Sequence, residues 1–166
     1  MLIRKTVMGD LDSVCEIYAG AREFMRQSGN PNQWKNTHPA RDVIVSDIIA
    51  GKSYVCTHDD NIVAVFYFCI EREPTYSRID GAWVNDDAYG VVHRIARTGS
   101  KADGTGASGI GAYCLNWCFE QCGNLRVDTH RDNTPMQNRL KSLDFAYCGI
   151  IWLENGEERM AYQKVV

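Results

Sequence analysis

The sequence has no apolar run near the roughly 18–20 residues that a membrane-spanning helix needs, and it has no excess of positive charge. Its formal net charge is −3, so a polyanion such as nucleic acid would meet no favourable field. The opening segment MLIRKTVMGD contains Arg4, Lys5 and Asp10, which interrupt any apolar signal-peptide core. We therefore expect a cytoplasmic protein with neither a membrane partner nor a nucleic-acid partner.

The seven cysteines include no C-x-x-C pair. Cys114, Cys118 and Cys122 recur at i, i+4 and i+8, which is the spacing of one helix face. Metal sites favour a tighter ligand spacing. We therefore expect these thiols to be reduced side chains of the core, and we predict no metal cofactor.

No internal repeat or low-complexity tail divides the chain. Its 166 residues are enough to bury one core, and 45% hydrophobic with 23% charged residues is a globular composition. We expect a single domain over residues 1–166.

Hydrophobic periodicity predicts seven strands and four helices. The predicted strands cover residues 2–6, 54–57, 62–70, 89–96, 125–129, 146–153 and 159–165. The predicted helices cover residues 11–25, 41–50, 112–122 and 135–143, and residues 71–88 are predicted to be a long connection. Because antiparallel hairpins surround a single βαβ crossover, we expect an α+β fold with a mixed, mostly antiparallel sheet.

Residues 104–111, GTGASGIG, place four glycines directly before the third predicted helix. A flexible linker is one interpretation, but the segment is poor in Ser and Pro and is tightly bounded by a strand and a helix. A dinucleotide-binding loop is a second, because Gly104, Gly106 and Gly109 match G-x-G-x-x-G. Against it, residues 97–103 separate the strand from the glycines, and only one βα unit follows.

The third interpretation is a pyrophosphate site at the start of a helix. Free N–H groups and the positive end of the helix dipole favour an anion there, and side chains would hold it away. Gly109 and Gly111 leave that space clear. A backbone site of this kind would allow an acidic protein to bind a pyrophosphate without a basic patch.

With this order of elements, the chain resembles the GCN5-related N-acetyltransferase (GNAT) superfamily over essentially its whole length. The segments that carry the resemblance are the strand VVHRIA, the loop SGIGA leading into YCLNWC, the strand LRVDTH, and DNTPMQNRLKSLDF. The last is similar to the family's N-x-x-A…G-F segment, beginning at Asn133 and closing at Phe145. Gly106 stands where the family usually has a polar or basic residue, and Leu140 where it often has a tyrosine that protonates the leaving thiolate.

The resemblance implies a GNAT-like (acyl-CoA N-acyltransferase) fold and direct acetyl transfer, in a ternary complex, from acetyl-CoA to a primary amine of a small molecule or peptide. It also implies that the strands at 89–96 and 125–129 are splayed apart, so that acetyl-CoA bonds to their free backbone groups. The cofactor-binding residues that it implies are Ile95, Ala96, Arg97, Gly104, Gly106, Gly109, Ile110, Gly111, Ala112, Asn133 and Met136.

Acetyl transfer also needs a base, because an alkylamine with a pKa near ~10.4 is mostly charged at neutral pH. The catalytic candidates are Glu71, His93, Asp128 and His130. Glu71, at the end of a hairpin strand, is the first candidate for the base. His93 lies mid-strand among apolar residues and could equally be a hydrogen-bonded core group. Asp128 and His130 share a strand face and could relay a proton.

The aromatic residues of the long connections are candidates for the acceptor pocket. Trp34, Tyr76 and Trp83 could line that pocket, or they could simply pack onto the protein. A non-catalytic acetyl-CoA-binding or ligand-sensing module stays open as a second function, and an NAD-dependent oxidoreductase as a third. A homodimer formed through the edge of the last hairpin, residues 146–165, also stays open.

Overall fold

An eight-stranded sheet runs through the computed structural model, which describes residues 1–99 and 109–166. The strands are β1 (Leu2–Lys5), β2 (Ser53–His58), β3 (Asn61–Cys69), β4 (Ile79–Gly81), β5 (Gly90–Arg97), β6 (Asn124–Thr129), β7 (Ala146–Trp152) and β8 (Glu158–Val165). Their order across the sheet is β1-β2-β3-β5-β6-β8-β7-β4. Of the described neighbouring pairs, β5–β6 is parallel and the others are antiparallel.

Four α-helices in the described part of the chain cover the two faces of the sheet. They are α1 (Leu11–Gln27), α2 (Arg41–Ile49), α3 (Ile110–Cys122) and α4 (Thr134–Ser142). The apolar stripe of α1 packs with α2 on one face, over Val65 of β3. On the other face, Cys114 and Leu115 of α3 and Leu140 of α4 join Val127 of β6. None of the described helices is long and apolar enough to cross a membrane.

The predicted α+β class and mostly antiparallel sheet are confirmed, with one strand more than the sequence analysis proposed. The additional strand, β4, lies within the predicted connection at 71–88 and pairs with β7. Its three residues are too few to show an alternating pattern. Because β4 covers the outer side of β7, the last hairpin does not form the edge of the sheet; β1 and β4 do.

A β-bulge in β5 decides which side chains face α2. The pairing of β5 with β3 shifts by one residue between His93 and Ala96, and Arg94 within the shift has a φ of 50°. The bulge interrupts the usual alternation, so His93 and Arg94 both face the α1–α2 side, where both contact the Tyr67 ring. Ile95 returns to the core under α3.

β5 and β6 pair at only three positions and then diverge. Their parallel ladder ends at Val92 and Val127, although β5 continues to Arg97 and β6 to Thr129. The strands are therefore splayed, as the family resemblance implies. Beyond the last pair, their facing backbone groups border a gap instead of each other, so a ligand can bond to them.

The β4–β7 pair gives a test of the observed topology. Gly81 and Gly149 are opposite each other, Gly149 has a φ of 139°, and a Cβ there would lie 2.1 Å from the carbonyl oxygen of Asp80. We expect Gly149→Ala to lower the free energy of unfolding by about 2–4 kcal/mol through backbone strain and overpacking. Urea denaturation measures the change.

Gly20→Ala is the matched control. Gly20 lies in α1, and a Cβ there would meet no described atom within 4 Å. Alanine should raise the free energy of unfolding by about 0.5–1 kcal/mol at this position, because it favours the helix. Similar effects of the two substitutions would contradict the close approach of β4 and β7.

Candidate active site

A cleft of about 690 Å³ passes through the sheet where β5 and β6 diverge. Val92 and Val127 line it from the core under α3 and α4, whereas His93 and Asp128 line it from the opposite face. The loop after α1 and the β7–β8 turn complete its walls. Because both faces of the sheet contribute to one space, two ligands can approach from opposite sides and meet in the gap.

His93 lies between two carboxylates in this cleft. Its Nε2 is 3.0 Å from Oε2 of Glu73, and its Nδ1 is 3.6 Å from Oδ2 of Asp128. The three side chains are only 22%, 23% and 9% exposed, respectively. The structure thus brings the predicted candidates His93 and Asp128 together, and it adds a carboxylate that the sequence analysis did not select.

Glu73 is held in its position by a short turn. It caps the 3₁₀ turn Pro74–Tyr76, and its Oε1 accepts hydrogen bonds from the hydroxyl (3.0 Å) and the backbone N–H (3.4 Å) of Thr75. The hydrogen bond to His93, more than any other contact, lowers the pKa of Glu73 to about 2, against the opposing effect of burial. Glu73 is therefore ionised at neutral pH.

Asp128 is oriented by Tyr76, whose hydroxyl donates a hydrogen bond of 2.7 Å to Oδ2. Burial, and next the Asp128 charge, raise the pKa of Tyr76 well above its usual value, so the phenol keeps the proton that it donates. Trp83 Nε1 donates to the Tyr76 carbonyl at 3.0 Å, and the two rings lie 5.1 Å apart. Tyr76 and Trp83, predicted to bind substrate, thus support Asp128 from behind and do not line the cleft.

The other predicted catalytic residues lie apart from this group. Glu71 is outside the cleft, where its Oε2 is 2.7 Å from Nζ of Lys52 and its side chain is 58% exposed. His130 Nδ1 accepts a hydrogen bond from the Asp132 N–H, and burial is the main reason that the pKa of His130 is lowered. Asp128 contacts Tyr76 and His93 instead, so the structure does not join it to His130 in a relay.

One signal in the sequence could have identified Glu73. It directly precedes Pro74, and a capping side chain followed by proline is a typical start of a helical turn. Such a turn fixes the carboxylate, whereas Glu71 at the strand end is free to remain in solvent. Trp34, the remaining predicted substrate-binding residue, does line the cleft; it is buried against Tyr18, with ring centroids 5.7 Å apart.

Among the described residues, no side chain crowds the start of α3 at its two glycines. Gly109 caps the helix, and a Cβ on Gly109 or Gly111 would meet no atom of the described residues within 4 Å. Neither glycine has a positive φ, so neither backbone strain nor contact within the described protein requires glycine there. Ile110 anchors the turn in the core, and Ala112 follows it in the helix. Backbone N–H groups facing clear space fit a phosphate.

The remaining predicted cofactor residues divide into three groups. Gly104 and Gly106 lie outside the described residues. Ile95 lines the cleft, whereas Ala96 and Arg97 follow it in β5 and pair with β3.

Asn133 and Met136 also line the cleft, at the start of α4. Asn133 Oδ1 accepts from the Met136 N–H at 3.2 Å, and its Nδ2 donates to Gln33 at 2.9 Å. Both polar ends of the Asn133 side chain are therefore engaged. In residues 1–99 and 109–166, no group of three or more His, Cys, Asp or Glu side chains is arranged to hold a metal ion.

The solved structures that resemble this chain include acetyltransferases. A GNAT-family acetyltransferase from Streptococcus agalactiae matches 99% of this chain and 95% of its own with a TM-score of 0.88 and 28% identity. Another from Listeria monocytogenes matches 99% and 94% with a TM-score of 0.68 and 17% identity. A ribosomal-protein-alanine N-acetyltransferase from Brucella melitensis matches 100% of both chains with a TM-score of 0.65 and 15% identity. No protein-family model and no curated protein matches the sequence.

The fold and its divergent strand pair therefore define the class: the chain has the fold of the GNAT-family acetyltransferases, as its motifs predict. The relative from Streptococcus agalactiae, at 28% identity, supports acetyltransferase activity. The described sheet also argues against the dinucleotide-binding alternative, because that fold needs successive parallel βα units and only β5–β6 is parallel here.

The lowered pKa of Glu73 predicts a pH-dependent contribution to stability. Because its pKa falls from an ordinary 4.5 to about 2 on folding, the stabilisation is fully present above pH 4.5 and is lost as the pH falls through 2. We expect Glu73→Gln to lower the free energy of unfolding by about 1–3 kcal/mol at pH 6, with roughly half of that difference left at pH 3. Urea denaturation between pH 6 and pH 3 measures both values.

Glu71→Gln is the control for this series. It removes the same charge two residues away, from an exposed ion pair with Lys52, and exposed pairs contribute little. Its effect should be smaller than that of Glu73→Gln at pH 6. A pH-independent effect of Glu73→Gln would contradict the ionic hydrogen bond to His93.

Proposed function

We propose that the protein transfers an acetyl group from acetyl-CoA to a primary amine of a small molecule or peptide, directly within a ternary complex. The observation that carries this proposal is the position of His93, between two carboxylates at the mouth of a gap through the sheet. Acetyl transfer to an amine needs a base close to the amine nitrogen and a precisely oriented pair of reactants. A cleft open to both faces supports that arrangement.

The residues present fit acetyl-CoA. The backbone N–H groups at Gly109, Ile110 and Gly111 would hold its pyrophosphate, because the helix start is open and electropositive. The unpaired backbone edges of β5 and β6 beyond the last ladder pair, including that at Ile95, would hold the pantetheine arm. When bound there, acetyl-CoA supplies an activated acetyl carbonyl.

The carboxylates and the imidazole act on the acceptor amine. Glu73 and Asp128 attract an ammonium group, because both lie in the cleft with little exposure to solvent. With Nε2–H donating to Glu73, the lone pair of His93 is at Nδ1, where it takes the proton of the amine. The two carboxylates then stabilise the imidazolium charge.

The charge of the cleft favours a cationic acceptor. Its described lining contains five carboxylates and three permanently charged cations. All three cations are already paired: Arg94 Nη2 is 2.7 Å from Asp47, and Lys35 and Arg159 both contact Glu157. The excess of negative charge would raise the local concentration of an ammonium-bearing substrate.

A non-catalytic acetyl-CoA-binding module is the second candidate. Leu140 is fully buried in the core and offers no proton donor, although the resemblance implies a tyrosine at that position. Such a module would need the open helix start and the splayed strands. It would not need an imidazole between two carboxylates, so the His93 arrangement favours the enzyme.

Ligand-dependent melting tests the acetyl-CoA site. At about 100 times its Kd, acetyl-CoA should raise the Tm by roughly 5–10 °C, because it binds the folded state only, and NADH should leave the Tm unchanged. Gly111→Glu should abolish the acetyl-CoA shift, because its side chain and charge occupy the anion site. Gly20→Glu on α1 adds the same charge at a remote position and should keep the shift. Equal shifts with both nucleotides would defeat the proposal.

Turnover tests the role of His93. Mass spectrometry of an amine panel with acetyl-CoA should detect an acetylated product, and His93→Gln should lower kcat by about 10²–10⁴-fold while leaving the Kd of acetyl-CoA nearly unchanged. His58→Gln, at the end of β2 and outside the cleft, is the matched control and should keep full activity. Binding of acetyl-CoA without any acetylated product would favour the non-catalytic module.

A further inference from the structure

Thr129 has a buried hydroxyl for which the described residues provide no hydrogen-bond partner. The residue is 1% exposed, and its Oγ1 makes no hydrogen bond. It lines the cleft at the end of β6, two residues beyond Val127, where pairing with β5 stops. An unpaired buried polar atom costs stability. Because this unpaired hydroxyl belongs to a residue of the cleft wall, a bound ligand can supply its missing hydrogen-bond partner.

Thr129 lies on the side of the sheet opposite to the His93 group. Side chains alternate along β6, so that Leu125 and Val127 enter the core under α3 and α4, whereas Asp128 faces Tyr76. Thr129 therefore lies on the same face of the sheet as Leu125 and Val127. Its partner across the sheet, Met160 of β8, packs against the same core. His93 and Thr129 thus line the gap from its two sides.

Five other cleft residues on this side offer no free side-chain donor. Four of them have apolar side chains: Val92, Ile95, Val127 and Met136. The fifth is Asn133, whose polar ends are bonded to Met136 and Gln33. Of the buried side-chain atoms without a hydrogen-bond partner among the described residues, the Thr129 hydroxyl is the one that belongs to a residue lining the cleft.

We propose that Thr129 donates a hydrogen bond to the sulfur of acetyl-CoA as that sulfur leaves, an inference that rests on the proposed function. The amine lone pair forms the C–N bond, the amine proton passes to His93, and the C–S bond breaks with its electron pair on sulfur. Thr129 keeps its proton, since a threonine hydroxyl is a very weak acid, and stabilises the thiolate until solvent protonates it. A donor on the side away from the base meets the departing charge there.

Two substitutions separate this role from a structural one. Thr129→Val keeps the branched shape without the hydroxyl, and Thr129→Ser keeps the hydroxyl. In the free protein, Thr129→Val should leave the urea midpoint unchanged or raise it, because it removes an unpaired polar atom. In turnover, it should lower kcat by about 10- to 100-fold, whereas Thr129→Ser should stay within about threefold of the wild type. A destabilised Thr129→Val protein would overturn the proposal, because the hydroxyl would then have a partner within the fold.

Binding of coenzyme A and of desulfo-coenzyme A gives a readout that needs no turnover. At pH 9, where part of the coenzyme A thiol is ionised, the wild type should bind coenzyme A at least about fivefold more tightly than the sulfur-free analogue by calorimetry. Thr129→Val should bind the two compounds equally, within about twofold, and Thr129→Ser should restore the preference. If the wild type binds both compounds and Thr129→Val keeps the preference for sulfur, the Thr129 inference fails while the acetyl-CoA site stands. If the wild type binds neither, the proposed function itself fails.

Discussion

The early end of the β5–β6 ladder is the constraint on which the rest of the structure depends. Each strand is held by its other neighbour while the two diverge: β6 pairs with β8 along its whole length, and β5 stays on β3 through the bulge at Arg94. The Arg94 guanidinium, bonded to Asp47 of α2 and lying 4.7 Å over the Tyr67 ring, anchors that bulge. The gap is therefore maintained by the surrounding fold, and its unpaired backbone groups are available to a ligand.

The ladder that precedes the bulge connects the fold to the chemistry. Regular pairing of β5 with β3 up to His93 places the imidazole on the face where the connection between β3 and β5 passes, so that Glu73 and Asp128 can flank it. That connection has little regular structure, yet it is firmly held. The Arg126 guanidinium lies between the rings of Trp83, at 4.1 Å, and Tyr89, at 3.9 Å. The Glu73 N–H also donates to the Tyr89 hydroxyl at 3.1 Å. Aromatic and hydrogen-bonded contacts thus replace a helix or strand in positioning the site.

Local pattern was sufficient for much of the architecture. Apolar periodicity located the helices and the longer strands because a side chain's face depends only on its spacing along the element. It could not find β4, whose pairing depends on Gly149, a residue almost seventy positions further along the chain. It also favoured Glu71 over Glu73, because both follow the same strand and nothing local distinguishes an exposed ion pair with Lys52 from a hydrogen bond to His93. For Tyr76 and Trp83, residue type alone did not show whether the rings would face a ligand or the protein.

The sequence by itself determined the class of fold, the glycines before α3 and the presence of His93 and Asp128 on adjoining strands, because each of these follows from short-range spacing or motif. Only the tertiary structure decided that Glu73 completes the group, that Tyr76 supports it from behind, and that Thr129 has a free hydroxyl on the opposite side. These properties depend on burial and on partners distant in sequence. Burial and hydrogen-bond partners are set when the sheet, the bulge and the β3–β5 connection pack together, and no local pattern encodes them.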